Sequence, residues 1–154
     1  AIYCGCPLSN IKKRLKFIDL PERRLAISNS LKGSLLIDDS YNSNPASLKN
    51  AVDSLEGLER KKVCILGDMK ELGSDSQKIH QEMYEYISER VDQIFCVGDE
   101  WSTCSPNEKK DLSIFENQDD LYYHLISIID KKTILLVKGS RSTRMDLLAD
   151  KLKE

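Results

Sequence analysis

Residues 34–45 read Ser34-Leu35-Leu36-Ile37-Asp38-Asp39-Ser40-Tyr41-Asn42-Ser43-Asn44-Pro45, and the fold is decided by this stretch. Leu35, Leu36 and Ile37 form an unbroken apolar run, the pattern of a strand buried on both faces. The run stops at Asp38-Asp39 and a polar loop follows. Asn44 offers a side-chain cap and Pro45 a pre-set φ for a first helical position. Strand, polar loop, helix start: open α/β sheets bind ligands at such junctions, outside the carboxyl ends of their strands. Read alone, the acidic pair could equally serve only to solubilise a turn.

Outward from this junction the same grammar repeats. Residues 24–28 alternate as a strand, and Ser-Asn-Ser-Leu-Lys-Gly turns the chain back into the strand at 34, which predicts a hairpin at the sheet edge. Leu48, Val52, Leu55 and Leu58 predict a helix from Pro45 that ends near Gly57. Strands are expected at 62–66, 93–97, 112–115 and 133–137. Ser74 and Gln77 suggest a capping box for a helix carrying Ile79, Met83, Tyr86, Ile87 and Val91. Further helices are expected after Asn117 and from Gly139-Ser140, while residues 101–111 show no clear period. Before all of this, Ser9 could cap a short helix with Ile11, Leu15 and Ile18 on one face, ended by Leu20-Pro21. Short strands alternating with helices predict an α/β, Rossmann-like sandwich. Its mainly parallel sheet carries helices on both faces and an N-terminal edge hairpin.

The chain has 154 residues, 40% hydrophobic and 31% charged, with net charge −2 and both signs mixed along it. That composition describes a globular protein with a real core. It gives no electrostatic reason to bind nucleic acid or an anionic membrane, and no apolar run approaches a membrane span. The five cysteines include no Cys-x-x-Cys, and Cys64 and Cys96 sit in apolar runs, so a reducing cytoplasm is the expected setting. Cys4-x-Cys6 lacks the second pair that a metal site needs. His80 and His124 each fall inside an expected helix without a second ligand nearby. Lys12-Lys13-Arg14 reads as the wet face of the first helix, and Tyr122-Tyr123 as helix packing.

Four polar clusters fall at carboxyl ends of expected strands: Asp38-Asp39, Gly67-Asp68, Gly98-Asp99 and Lys138-Gly139-Ser140-Arg141. In a doubly wound sheet these ends share one edge. The last cluster joins a glycine, two cations and an expected helix start, an arrangement in which an anion is expected to sit, the alternative being a solvated helix start with two surface cations. Neither Gly-x-Gly-x-x-Gly nor Gly-x-x-x-x-Gly-Lys-Ser/Thr occurs, so the main phosphate grip must lie elsewhere.

Asp-Asp-Ser-Tyr-Asn-Ser-Asn-Pro at 38–45, Leu-Gly-Asp-Met-Lys-Glu-Leu-Gly at 66–73 and Val-Lys-Gly-Ser-Arg-Ser at 137–142 together resemble the C-terminal domain of Mur ligases. The likeness is to the branch that adds D-alanyl-D-alanine in bacterial peptidoglycan synthesis. It implies that residues 1–22 are the tail of a preceding central ATPase domain and 23–154 the C-terminal domain, making the chain a fragment that is inactive alone. It further implies an ATP-dependent, amide-forming ligase acting on a UDP-N-acetylmuramoyl tripeptide and D-alanyl-D-alanine. ATP and Mg2+ would be held mainly by the central domain, and the partners would be the enzyme's own N-terminal and central domains.

By the same resemblance, Arg24, Asp39, Tyr41, Asn42 and Asn44 belong to the ATP side. Lys138, Gly139, Ser140 and Arg141 belong to the loop near the incoming dipeptide. No residue here is implied as catalytic and none as a metal ligand. A different class remains open: receiver-type signalling domains also join two acids after the first strand with a later aspartate and lysine, which Asp38-Asp39, Asp68 and Lys138 could mimic.

Overall fold

The computed structural model describes residues 5, 7–15, 22–106 and 112–154. Ile18, the Leu20-Pro21 stop and the Cys4-x-Cys6 pair lie outside them, as does half of the expected 1–22 tail. Helix α1 (Leu8–Leu15) begins one residue before Ser9, so Ser9 lies inside it rather than capping it.

Strands β1 (Ala26–Asn29), β2 (Leu35–Asp39), β3 (Lys61–Gly67), β4 (Gln93–Val97), β5 (Leu112–Phe115) and β6 (Thr133–Lys138) form one sheet in the order β1-β2-β6-β3-β4-β5. β1 pairs antiparallel with β2 as the expected edge hairpin, and every other pairing is parallel. Side chains alternate across a strand, so one β-rich segment serves two cores. Ile37, Cys64, Leu66, Ile94, Cys96, Ile134 and Leu136 pack on one face with α2 (Pro45–Asp53), α3 (Ser76–Ser88) and Trp101 of the short α4 (Asp99–Ser102). Leu36, Val63, Ile65, Phe95, Leu135 and Val137 pack on the other with α5 (Gln118–Ile128) and α6 (Met145–Leu152).

Local chemistry sets most helix starts. Asn44 accepts from the Ser47 N–H at 2.9 Å while Ser47 Oγ accepts from the Asn44 N–H, a reciprocal cap with Pro45 at the first position. Asn117 caps α5 through the Asp120 N–H. Three expectations need correction. α2 stops at Asp53, and Leu55 is buried from the turn that follows. α3 starts at Ser76 after a 3₁₀ turn at Gly73–Asp75, with no side-chain cap, because the turn already supplies the first bends. After β6 the chain makes a 3₁₀ turn at Arg141–Thr143 and passes through Arg144 at φ 53° before α6 begins. Gly139-Ser140 is therefore not the mouth of α6, and the helix-dipole argument for an anion there falls away.

Candidate functional site: a cleft at the carboxyl ends of β2 and β6

β2 and β6 are neighbours, yet the chain leaves β2 for α2 on one face and β6 for α6 on the other. The loops part, and a crevice opens at their carboxyl ends, where doubly wound sheets hold ligands. A cleft of about 420 Å³ lies there, lined by residues that include Arg24, Asp39, Tyr41, Asn42, Asn44 and Lys138. The expected ATP-side residues thus converge.

Asp39 and Lys138 are register partners across the parallel pair, so both side chains emerge on the same face. The Lys138 ammonium lies 2.5 Å from Asp39 Oδ2 and also donates to the Asn42 carbonyl at 2.8 Å. Asp39 Oδ1 accepts from the Leu25 N–H at 3.1 Å. Lys138 is buried and Asp39 nearly so, making the pair the floor of the cleft rather than its rim. Lys138 accordingly sits with Asp39 and Asn42, apart from the loop residues with which the sequence motif groups it.

The rest of that loop turns away. Ser140 is buried; its N–H donates to the Asp68 carbonyl, its Oγ accepts from the Lys70 N–H at 2.8 Å and approaches the Ser43 carbonyl at 3.4 Å. Gly139 is required by packing, since a Cβ there would lie 2.6 Å from Thr143 Oγ1 and 2.7 Å from Met145 Cγ. Arg141 alone reaches outward, its guanidinium 5.3 Å from the Tyr41 ring centroid. Arg24 stacks on the same ring at 4.6 Å.

Asp38 faces the other way, as strand alternation demands. Its carboxylate takes Ser40 through both N–H and Oγ, and meets Lys153 at 3.0 Å and Arg23 at 3.7 Å. Asp68, at the end of β3, pairs with Lys70 at 2.8 Å and holds the Lys70 ammonium above its ordinary pKa; Asp68 Oδ1 finds no partner among the described residues. The receiver-type constellation is therefore not assembled: Asp38, Asp68 and Lys138 each take a different partner.

Sequence reading missed a buried polar knot beside β3. Trp101 is fully buried and donates Nε1–H to the Gly67 carbonyl at 3.0 Å. His80 meets it edge-on at 4.7 Å and accepts from the Met69 N–H through Nε2, while Nδ1 lies 2.8 Å from the Ser76 carbonyl. The ring thus accepts a backbone N–H at Nε2 and faces a backbone carbonyl at Nδ1. This knot shapes the Met69-Lys70 turn. The only hint in the sequence was a lone tryptophan in an otherwise polar segment. His124 packs with Phe95 and Phe115, and Tyr122-Tyr123 lie on α5 with Tyr123 exposed.

A larger hollow of about 580 Å³ lies toward the amino end of β3, lined by Val52, Asp53, Lys62, Tyr86 and Arg90 among others. Its groups satisfy one another: Tyr86 donates to Asp53, and Arg90 stacks on Tyr86 at 3.7 Å while facing Asp53 and Glu89. It presents no convergent set comparable with the β2–β6 cleft.

The family described as Mur ligase, glutamate ligase domain, matches residues 23–141. The chain belongs to this family. It is 32% identical over its whole length to the UDP-N-acetylmuramoyl-tripeptide–D-alanyl-D-alanine ligase of Haemophilus influenzae, covering 35% of that protein. Over 96% of its length it is 36% identical to the ligase of the same name from Buchnera aphidicola, covering 33% of it. Among solved structures, MurF from Acinetobacter baumannii superposes with a TM-score of 0.81 at 32% identity, over 98% of this chain and 34% of that one. The chain thus spans about a third of the length of the relatives it matches. The fold likeness extends to MurF from Thermotoga maritima, solved in complex with ADP, with a TM-score of 0.77 at 24% identity over 87% of this chain and 31% of that one. These comparisons give no support to the receiver-type alternative.

Proposed function

We propose that this chain is the C-terminal domain of a bacterial, ATP-dependent, amide-forming ligase that adds D-alanyl-D-alanine to a UDP-N-acetylmuramoyl tripeptide in peptidoglycan precursor synthesis. The observation that carries the reading is the β2–β6 cleft, where Arg24, Asp39, Tyr41, Asn42, Asn44 and Lys138 meet on a Mur ligase fold. The named activity of the similar ligases from Haemophilus influenzae and Buchnera aphidicola supports the choice of substrates.

In this reading residues 1–22 join the domain to a central ATPase domain that supplies the P-loop and the Mg2+ ligands. No group of three or more His, Cys, Asp or Glu among the described residues is arranged to hold a metal, so no step is assigned to one here. ATP fits the cleft by charge, because Arg24 and Arg141 have no carboxylate within salt-bridge distance among the described residues and stand beside it. The tripeptide carboxylate attacks the γ-phosphorus, ADP leaves and an acyl phosphate forms. The neutral amine of the dipeptide then attacks the acyl carbon, phosphate leaves and the nitrogen loses a proton. The domain's part is to close over the nucleotide, align the phosphoryl group and border the dipeptide's approach with the loop at 139–141. Aligned donors and cations lower such a barrier where charge develops.

A cytoplasmic setting belongs to the same reading, supported by the buried free thiols of Cys64, Cys96 and Cys104. Among the described residues no helix is long and apolar enough to cross a membrane.

The test is phosphate release from ATP by the full-length gene product. Release is expected only when both the UDP-linked tripeptide and D-alanyl-D-alanine are present, with formation of the pentapeptide. Release that ignores the dipeptide, or that needs a single free amino acid instead, would overturn the assignment.

A further inference from the structure

Arg24 and Arg141 are 117 positions apart in the sequence, yet both guanidiniums lie against one ring, that of Tyr41, at 4.6 and 5.3 Å. They are therefore no more than about 10 Å apart, roughly one Debye length at moderate salt, and repel each other. Neither has a carboxylate within salt-bridge distance among the described residues, whereas Arg23, Arg90 and Arg144 each do. Two like charges gathered without a counter-charge mark the place of an anion.

The backbone supplies an independent sign. Arg23 and Leu25, the residues flanking Arg24, both occupy the left-handed region, at φ 60° and φ 51°. For a leucine this is an outlier, and such strain persists only where the surroundings over-determine it. They do so here. The Arg23 side chain reaches the Asp146 carbonyl and Asp150, its own carbonyl accepts from the Tyr41 N–H at 3.1 Å, and the Leu25 N–H is held by Asp39. These contacts fix the backbone on either side of Arg24, while its guanidinium stacks on Tyr41 and meets no carboxylate within salt-bridge distance among the described residues.

We propose that Arg24 and Arg141, both held against the Tyr41 ring, form a two-arginine clamp for a phosphoryl group, with Tyr41 as the positioning residue. This rests on the reading of the cleft as a nucleotide site. The choice of phosphate over the dipeptide's carboxylate comes from oxygen count. One guanidinium fork satisfies both oxygens of a carboxylate, whereas a transferring phosphoryl group presents three oxygens and can occupy two forks. The clamp gives Arg141 a task distinct from its expected service to the dipeptide. It also links loops following different strands, so the site is complete only when β2 and β6 are paired.

Inorganic triphosphate titrated into the 154-residue chain, followed by NMR shifts of the arginine Nε–H and Tyr41 ring signals, tests this directly. Triphosphate is expected to shift all three residues together. Arg24→Ala and Arg141→Ala should each weaken binding roughly tenfold, as loss of a charge-assisted contact does. The double variant should lose less than the product of the two, since the clamp acts as a unit. Tyr41→Phe keeps the ring and should bind as the parent does; Tyr41→Ala should weaken binding as an arginine loss does. All of these side chains are exposed, and amide dispersion verifies that each variant stays folded. Acetate and D-alanyl-D-alanine, as carboxylate probes, should not reproduce the joint shift. The clamp is refuted if Arg141→Ala leaves triphosphate affinity unchanged, or if the dipeptide binds with the same dependence on both arginines. These outcomes are separable from the ligase assay: a clamp that binds triphosphate in a protein without ligase activity keeps the anion site and removes only its assignment to ATP.

Discussion

Asp39 and Lys138 stand opposite each other in the parallel β2–β6 register, and their charged ends meet at 2.5 Å on the cleft floor. One row earlier on this face the same strands carry Ile37 and Leu136, both in the apolar core. The ion pair is therefore the layer at which core gives way to site. Lys138 is 2% exposed, so its charge depends on Asp39 and the Asn42 carbonyl rather than on water.

That dependence has a measurable cost. Asp39→Ala leaves a buried ammonium without its counter-ion and is expected to lower stability by about 3–5 kcal/mol. Replacing both partners, as Asp39→Leu with Lys138→Met, should recover most of the loss. Urea unfolding at constant m-value decides it, and a single-variant loss below about 1 kcal/mol would mean the pair is solvated.

The chain by itself is expected to unfold in one cooperative transition and to release no phosphate from ATP. It has a complete two-faced core but no Gly-x-x-x-x-Gly-Lys-Ser/Thr sequence. Trp101 is the sole tryptophan and fully buried, so its emission should shift to the red on unfolding, in step with far-UV circular dichroism. Separate transitions, or phosphate release above a buffer control, contradict this.

Burial pushes the Cys64 thiol up to about 12 and the Cys104 thiol up to about 11, from an ordinary value of 9.0. At pH 8 Cys64 should therefore react with iodoacetamide about a thousandfold more slowly than an unburied thiol, by mass spectrometry of the native protein. The sign for stability follows. The folded state holds these protons more tightly, so the contribution is full below pH 9 and is lost as pH rises toward about 12. For Cys64 the slope should be about 1.4 kcal/mol per pH unit in that window.

Gly98 sits at φ 135°, and a Cβ there would come within 2.2 Å of the Asp68 carboxylate. Gly98→Ala is expected to cost at least about 1–3 kcal/mol from backbone strain alone. It should also push Asp68 off Lys70. Because the hydrogen bond from Lys70 to Asp68 is the main cause of that amine's raised pKa, the Lys70 pKa should fall back toward 10.5. Amine titration by NMR reads this second effect separately from stability.

Much of the architecture was legible because its causes are local. The apolar triplet at Leu35–Ile37 marks a doubly buried strand wherever it ends up, and Asn44-Pro45 and Asn117 start helices through hydrogen bonds spanning three residues. The signals that failed were local ones overridden by neighbours. The Ser74 cap was pre-empted by a 3₁₀ turn, and Gly139-Ser140 opened no helix because Ser140 is tied to Asp68 and Lys70. Trp101 was unreadable for a related reason: four helical residues are too few to show a period, and what buries the ring is Gly67 and His80, both remote in sequence.

The sequence by itself determined the alternation of strand and helix, the two-faced burial of β2 and the three motifs that mark the Mur ligase family, since each is carried by residues within a few positions of one another. Only the tertiary structure decided which motif residues meet. β6 is last in the chain but lies between β2 and β3, and nothing in the periodicity encodes that insertion. It brings Lys138 onto Asp39 across 99 positions and Arg141 onto the ring that Arg24 already shares, while it turns Asp38 to the opposite face beside Lys153. Strand order and register, which follow from burying two apolar faces at once, thus settle the partners of charges that the sequence could only name.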